Sequence, residues 1–157
     1  MASPAAKGGR GLRVLGHPLH AALSAFPLAF LSGSVVADAL ALFRDPHFWW
    51  AASFWLVAGG LLAAAPTVCA GFFDYLTAVR GERPERTATV HMLVMLTGIS
   101  CFGIELLFRG GTAPPSGAAL ISTVALDAVG AAIVTVGGWY GGELVFGHAV
   151  GVDAQDS

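Results

Sequence analysis

The sequence predicts an all-α integral membrane protein, built as an antiparallel four-helix bundle. Three observations lead there. Hydrophobic residues make up 55% of the 157-residue chain and charged residues only 11%, whereas a soluble domain carries about a quarter charged residues. The mean hydropathy is +0.71, so a lipid bilayer is the solvent this composition suits. The apolar residues also gather into four stretches, each long enough to cross ~30 Å of hydrocarbon, with short polar breaks between them. The length fits one domain: a four-span membrane domain over 16–152, preceded by segment 1–15 and followed by an acidic tail, 153–157. A net charge of −2 with no basic run argues against nucleic acid as a partner.

The first span is expected at about 19–43. Lys7, Arg10 and Arg13 precede it as in a signal peptide, but the apolar run exceeds the ~7–15 residues of a signal core. It is therefore read as an uncleaved anchor, despite the small residues Ala37 and Ala39. Arg44-Asp45-Pro46 ends it, because proline disfavours helix in the residue before it. The second span, about 48–77, opens with Phe48, Trp49 and Trp50, aromatics suited to a membrane interface. Residues 80–86, five of them charged and one proline, form a polar turn. The third span is expected at about 87–108, and a Gly/Pro loop follows it. The fourth is expected at about 117–140, with a glycine-rich exit.

Basic residues near span ends set membrane orientation. Lys7, Arg10, Arg13, Arg80, Arg83 and Arg86 fall on the face holding both termini and the second loop. Arg44 and Arg109 fall on the other. Both termini are thus expected in the cytoplasm, with the protein in a bacterial inner membrane. Gly59, Gly60, Ala63, Ala64, Gly98, Gly130 and Ala131 permit close helix approach. Pro27 and Pro66 lie inside spans, and each frees a carbonyl one turn earlier. Cys69 and Cys101 sit at depths differing by ~9 Å at 1.5 Å per residue, so they are read as free, buried small hydrophobes rather than a disulfide.

The residues able to carry chemistry collect at one end. His17 and His20 precede or open the first span, His91 opens the third, and His148 follows the fourth. In an up-down-up-down bundle these ends share one face, and Asp74 at the close of the second span joins them. Polar groups are costly there and ask for a reason. His20 and His91 lie at similar depth on facing helices, so two imidazoles can take the axial positions of a b-type haem. Helical spacing continues the face of His20 through Ser24, Pro27, Leu31 and Asp38. It continues that of His91 through Met95, Gly98, Phe102 and Glu105, with Gly98 leaving room for a porphyrin edge. His17 and His148 offer a second ligand pair or a polar shell; His17 shares a face with His20 if the turn at Pro18 is helical. The set His17, His20, Asp74, His91 and His148 equally suits zinc, iron or copper. Haem, a bare metal and simple hydrogen bonding all remain open at this point. His47, beside Pro46 on the opposite face, reads as a solvated loop residue.

Asp38, Glu105 and Asp127 are acids in the other half of the bundle. Intramembrane carboxylates face the interior and can relay protons, so these three form a candidate proton path or quinone site. Glu105 can pair with Arg109 at i+4, and Asp38 can meet Arg44. Asp127 is the deepest, ~15 Å from the span end by helix rise.

Four motifs carry a resemblance: Gly16-His17-Pro18-Leu19-His20, Gly71-Phe72-Phe73-Asp74-Tyr75, His91-Met92-Leu93, and 141–152, which runs Gly141-Gly142-Glu143 to Gly147-His148 and Val152. Together they resemble the bacterial four-span membrane family called domain of unknown function 2231. Members of that family occur alone or fused to Rieske iron–sulfur or cytochrome c-like domains, which implies an electron-transfer module. The resemblance places the family's histidines on His17, His20, His91 and His148, and its aspartate on Asp74. Met95, Phe146 and Ala21 depart from the residues common in the family.

The expected function is a small b-type cytochrome, an electron-transfer oxidoreductase if it is an enzyme, passing electrons between quinol and a separate Rieske or cytochrome protein. Arg13, Arg80 and Arg83 are candidates to neutralise haem propionates. Two readings compete with it: a non-haem zinc, iron or copper protein, and a cofactor-free scaffold or accessory subunit. Each leaves a homo-oligomer open. A transporter fits less well, since four spans leave little room and no inverted repeat is visible.

Overall fold

A computed structural model describes residues 11–151. The chain enters through a two-stranded hairpin. Strand β1 (Arg13–Val14) pairs antiparallel with β2 (His17–Pro18). Leu15 and Gly16 turn it with φ of 51° and 83°, the two left-handed residues a tight hairpin turn requires. Four helices follow: α1 (Leu19–Ala41), α2 (Pro46–Asp74), α3 (Glu85–Arg109) and α4 (Gly117–Gly142). Helices α2 and α4 each continue into a π-helical turn, Tyr75–Val79 and Glu143–Gly147.

The four spans stand where the apolar stretches place them, with two differences. The second and fourth run on to Val79 and Gly147. The glycine-rich exit after Tyr140 is helical as far as Gly147, and Gly141 within it lies against α3, where a Cβ would meet the His91 ring. Asp45 caps α2, its carboxylate accepting from the N–H groups of His47 and Phe48, and Pro46 takes the first helical position, where its missing N–H costs nothing. His47 is therefore helical, though exposed. Gly110, with φ of 68°, ends α3 in the manner of a left-handed C-cap.

Only 17–28% of each span is buried within the bundle. Trp55, Leu62, Leu107, Trp139 and Phe146 all point outward. Apolar side chains exposed on this scale need lipid around them, so the protein is a multi-pass membrane protein. Cys69 is among the outward residues, and both cysteines are free. The expectation that Cys69 is buried fails because its face of α2 meets lipid, not protein.

Helix α1 packs chiefly on α2, and α3 on α4. The core between the hairpins is Leu31, Val57, Phe102 and Val134. Small residues set the approach: a Cβ on Gly60 would come 2.7 Å from Leu31, on Gly98 2.6 Å from Val134, and on Gly130 2.9 Å from Phe102. Gly98 thus serves the α3–α4 contact and not a porphyrin edge.

The two hairpins repeat one another. Leu31 lies over Gly60 in the first, and Phe102 over Gly130 in the second. Ser53 and Thr123 are both fully buried. Gly81 and Gly151 turn the chain after each hairpin with φ of 84° and 79°. Every second-half residue follows its counterpart by 70 or 71 positions. Both hairpins run in the same direction, so this is a parallel repeat about an axis along the bundle.

Candidate functional site

His20 is the second residue of α1, and His91 lies in the second turn of α3. These helices sit diagonally across the bundle, and the two imidazoles meet over its axis. Their ring centroids are 6.4 Å apart, and their planes are nearly perpendicular at 83°.

Each ring is held by the helix beside it. His20 Nδ1 lies 3.0 Å from the carbonyl oxygen of Thr67 in α2, and His91 Nδ1 lies 2.8 Å from that of Gly137 in α4. A carbonyl only accepts, so both Nδ1 atoms carry the proton and donate it. Both Nε2 atoms are left with a lone pair, and neither has a hydrogen-bond partner among the described residues. This is how ligating histidines are oriented: one nitrogen anchored to backbone, the other free to bind. One turn beyond each carbonyl stands a glycine. A Cβ on Gly71 would lie 2.7 Å from the His20 ring, and one on Gly141 3.1 Å from the His91 ring. The two sites obey the same repeat as the fold.

The histidines line a cavity of about 440 Å³, within the range of small-molecule sites. Its walls are mainly apolar, with Leu28, Met92, Met95, Ile99 and Val145 among them. Gly138, Gly141 and Gly142 keep the α4 wall low. Asp74 and Tyr75 also line it.

The other expected ligands are placed differently. His17 is exposed in β2, and Pro18 is extended with φ −65° and ψ 118°. The helical turn that would align His17 with His20 is therefore absent. His148 is exposed just after the second π-helical turn, where Ala149 at φ 54° redirects the chain. Neither lines the cavity. Asp74 is tied up in folding: its Oδ1 accepts the Leu12 N–H at 2.5 Å and pins the entering chain to α2. Arg80 and Arg83 are exposed after α2, and Arg13 Nε donates to the Gly16 carbonyl at 3.0 Å.

The acids at the opposite end do converge. Arg109 reaches back into the bundle, its Nε donating to Glu105 at 2.6 Å and its Nη2 to Asp38 at 2.6 Å, with Asp127 4.0 Å away. The i+4 pairing of Glu105 with Arg109 is thus present, while Asp38 meets Arg109 instead of Arg44. Trp50 stacks on the guanidinium, its ring centroid 4.9 Å from Cζ. Expected as an interface residue, Trp50 is instead buried, because its indole covers this cation.

Sequence reasoning missed the carbonyls of Thr67 and Gly137, the glycines one turn beyond them, and the central role of Arg109. The spacing that pairs Gly60, Gly71 and Gly81 with Gly130, Gly141 and Gly151 was the signal that could have found the first two.

The fold and composition define a multi-pass membrane protein with four helices and a paired-histidine cavity at one end. The chain belongs to the family of predicted membrane proteins DUF2231, whose model matches residues 16–154. Comparison with curated proteins and with solved structures gave no match.

Proposed function

We propose that this protein is a small membrane cytochrome whose residues His20 and His91 hold a b-type haem. The observation that carries the reading is the paired imidazoles. The ring centroids stand 6.4 Å apart over the bundle axis, so the two imidazoles together would hold the iron of a haem between α1 and α3. Both Nδ1 protons are committed to backbone carbonyls, so Nε2 is the nitrogen offered. The two histidines come from diagonal helices, and Gly138 of α4 has open space beside it on the cavity wall.

Such a group supplies one-electron chemistry when bound. The chain's part is to fix both imidazoles by hydrogen bonds, to surround the site with apolar side chains, and to exclude water. Those are the levers by which a protein tunes a cofactor's potential. In this reading the donor is a membrane quinol and the acceptor a separate Rieske or cytochrome protein. The cytoplasmic orientation of both termini is supported by the burial of Arg109: withdrawn from the loop, it leaves Arg44 as the basic residue of that face among those counted.

A bare-metal site at the histidines is less well supported. A structural zinc site takes four protein ligands, and the cavity walls bring two imidazoles together. The test is a reduced-minus-oxidised absorption spectrum of protein purified in mild detergent after expression with ample haem. Sharp b-type bands, lost in His20→Ala and in His91→Ala, are expected. Colourless protein refutes the reading, and elemental analysis of the same sample then separates a metal protein from a scaffold.

A further inference from the structure

We infer that the end of the bundle opposite the histidines holds an exchangeable proton on Asp127, sheltered with Asp38, Glu105, Arg109 and Thr123. This goes beyond the haem reading and does not depend on it. All five residues are at least 96% buried. The three carboxylates offer oxygens within 4.8 Å of one another, drawn from α1, α3 and α4. The charged groups that meet here are three carboxylates and one guanidinium.

Arg109 answers two of those carboxylates by direct hydrogen bonds, to Asp38 and Glu105. Asp127 receives none. Neither of its oxygens has a hydrogen-bond partner, and Asp38 Oδ1, Glu105 Oε2, Thr123 Oγ1 and Arg109 Nη1 also lack one among the described residues. The Thr123 hydroxyl is distinctive. Thr67, Thr77, Thr89, Thr97 and Thr135 each donate to the carbonyl four residues back, but Thr123, one turn before Asp127, does not. Its hydroxyl is left available to a group in the interior.

A buried carboxylate with no hydrogen bond cannot stay ionised cheaply in a low-dielectric interior; it takes up a proton instead. A cation such as sodium or calcium would have to crowd the guanidinium, which already stands among the three carboxylates. A proton needs no such room. Unpartnered donors and acceptors side by side also suit ordered water, which can do both. A protonated Asp127 can donate to Asp38 or Glu105, and Thr123 or water can relay the proton onward. The enclosure of the cluster makes it a holding site rather than a surface that quinol could touch.

Infrared spectroscopy of the full chain in detergent, compared in H₂O and D₂O at neutral pH, tests this. A protonated carboxyl band that shifts on deuteration is expected in the wild type. It should vanish in Asp127→Asn and persist in Glu143→Gln, which alters an exposed acid. Absence of the band, or its survival in Asp127→Asn, overturns the proposal. So does a carboxylate band that moves when NaCl or CaCl₂ is added at constant ionic strength, which would mark a cation site. Asn mimics a protonated Asp, so Asp127→Asn should unfold at the wild-type temperature or above it; a marked loss would mean an ionised Asp127 paired with Arg109. Should that variant not accumulate, aspartate labelled with carbon-13 in the wild type must shift the band, and an unshifted band overturns the assignment.

Discussion

Gly71 and Gly141 occupy equivalent places beside the two histidines but leave unequal room, and that difference makes a quantitative prediction. A Cβ added at Gly71 meets the His20 ring at 2.7 Å from both Cε1 and Nδ1. To restore ordinary contact at about 3.4 Å, the ring must retreat by roughly 0.7 Å. Its hydrogen bond to Thr67 starts at 3.0 Å, and a retreat of that size takes it past the useful range. The lost bond costs about 0.5–1.5 kcal/mol and crowding about 1–3 kcal/mol. Alanine returns about 1 kcal/mol in helix preference. Gly71→Ala should therefore destabilise by about 1–3 kcal/mol and displace His20 from its partner. At Gly141 the nearest ring atoms are 3.1 and 3.4 Å away. The ring need move only a few tenths of an ångström, and the bond to Gly137, 2.8 Å long, survives. Helix preference then dominates, and Gly141→Ala should be neutral or stabilising by up to about 1 kcal/mol. Thermal unfolding of both variants in one detergent gives the comparison, and on the haem reading pigment per mole of protein gives the positional readout. Equal damage from the two substitutions, or a silent Gly71→Ala, would refute the account of how the rings are held.

Other consequences follow from the same geometry. On the haem reading, His17→Ala and His148→Ala should retain full pigment, measured by the reduced-minus-oxidised spectrum, because both residues lie outside the cavity. Arg109→Met should cost about 3–5 kcal/mol, since it leaves buried carboxylates unpaired. Replacing Asp38, Glu105 and Arg109 together by apolar residues of similar volume should recover most of that loss in the same unfolding assay. In a variant without Cys69 and Cys101, a cysteine at position 83 should react with a membrane-impermeant maleimide in inside-out vesicles and not in intact cells; the opposite pattern would invert the orientation.

The fold was legible because its signal is coarse: apolar length and polar breaks give four spans without any tertiary knowledge. The inner faces were legible too. From His20 the helical spacing reached Pro27, Leu31 and Asp38, and from His91 it reached Gly98, Phe102 and Glu105, and these six are buried. The limits lie where local spacing carries no information. Lipid-facing and core-facing side chains are both apolar, so nothing in α2 distinguished exposed Cys69 from buried Ala70. The second π-helical turn arises after Gly141 and Gly142, which read equally well as an exit. Arg109 was assigned to a loop by its position beside Gly110, but its partner Asp38 lies 71 residues away. His17 depended on one backbone angle at Pro18, which the hairpin sets.

The parallel repeat also bears on how such a molecule is assembled. Two identical hairpins associating about the same axis would reproduce the histidine pair without difficulty, since His20 and His91 are equivalent and the site asks the same of each. The other end would fail. Asp38 and Arg109 occupy equivalent positions and bond each other across the axis. A symmetric pair would set aspartate against aspartate or arginine against arginine there, with like charges buried in contact. A tandem chain lets the halves differ at that point. Joining the hairpins thus turns what would be a mutual repulsion into the bond that locks them, and it fixes which hairpin is which.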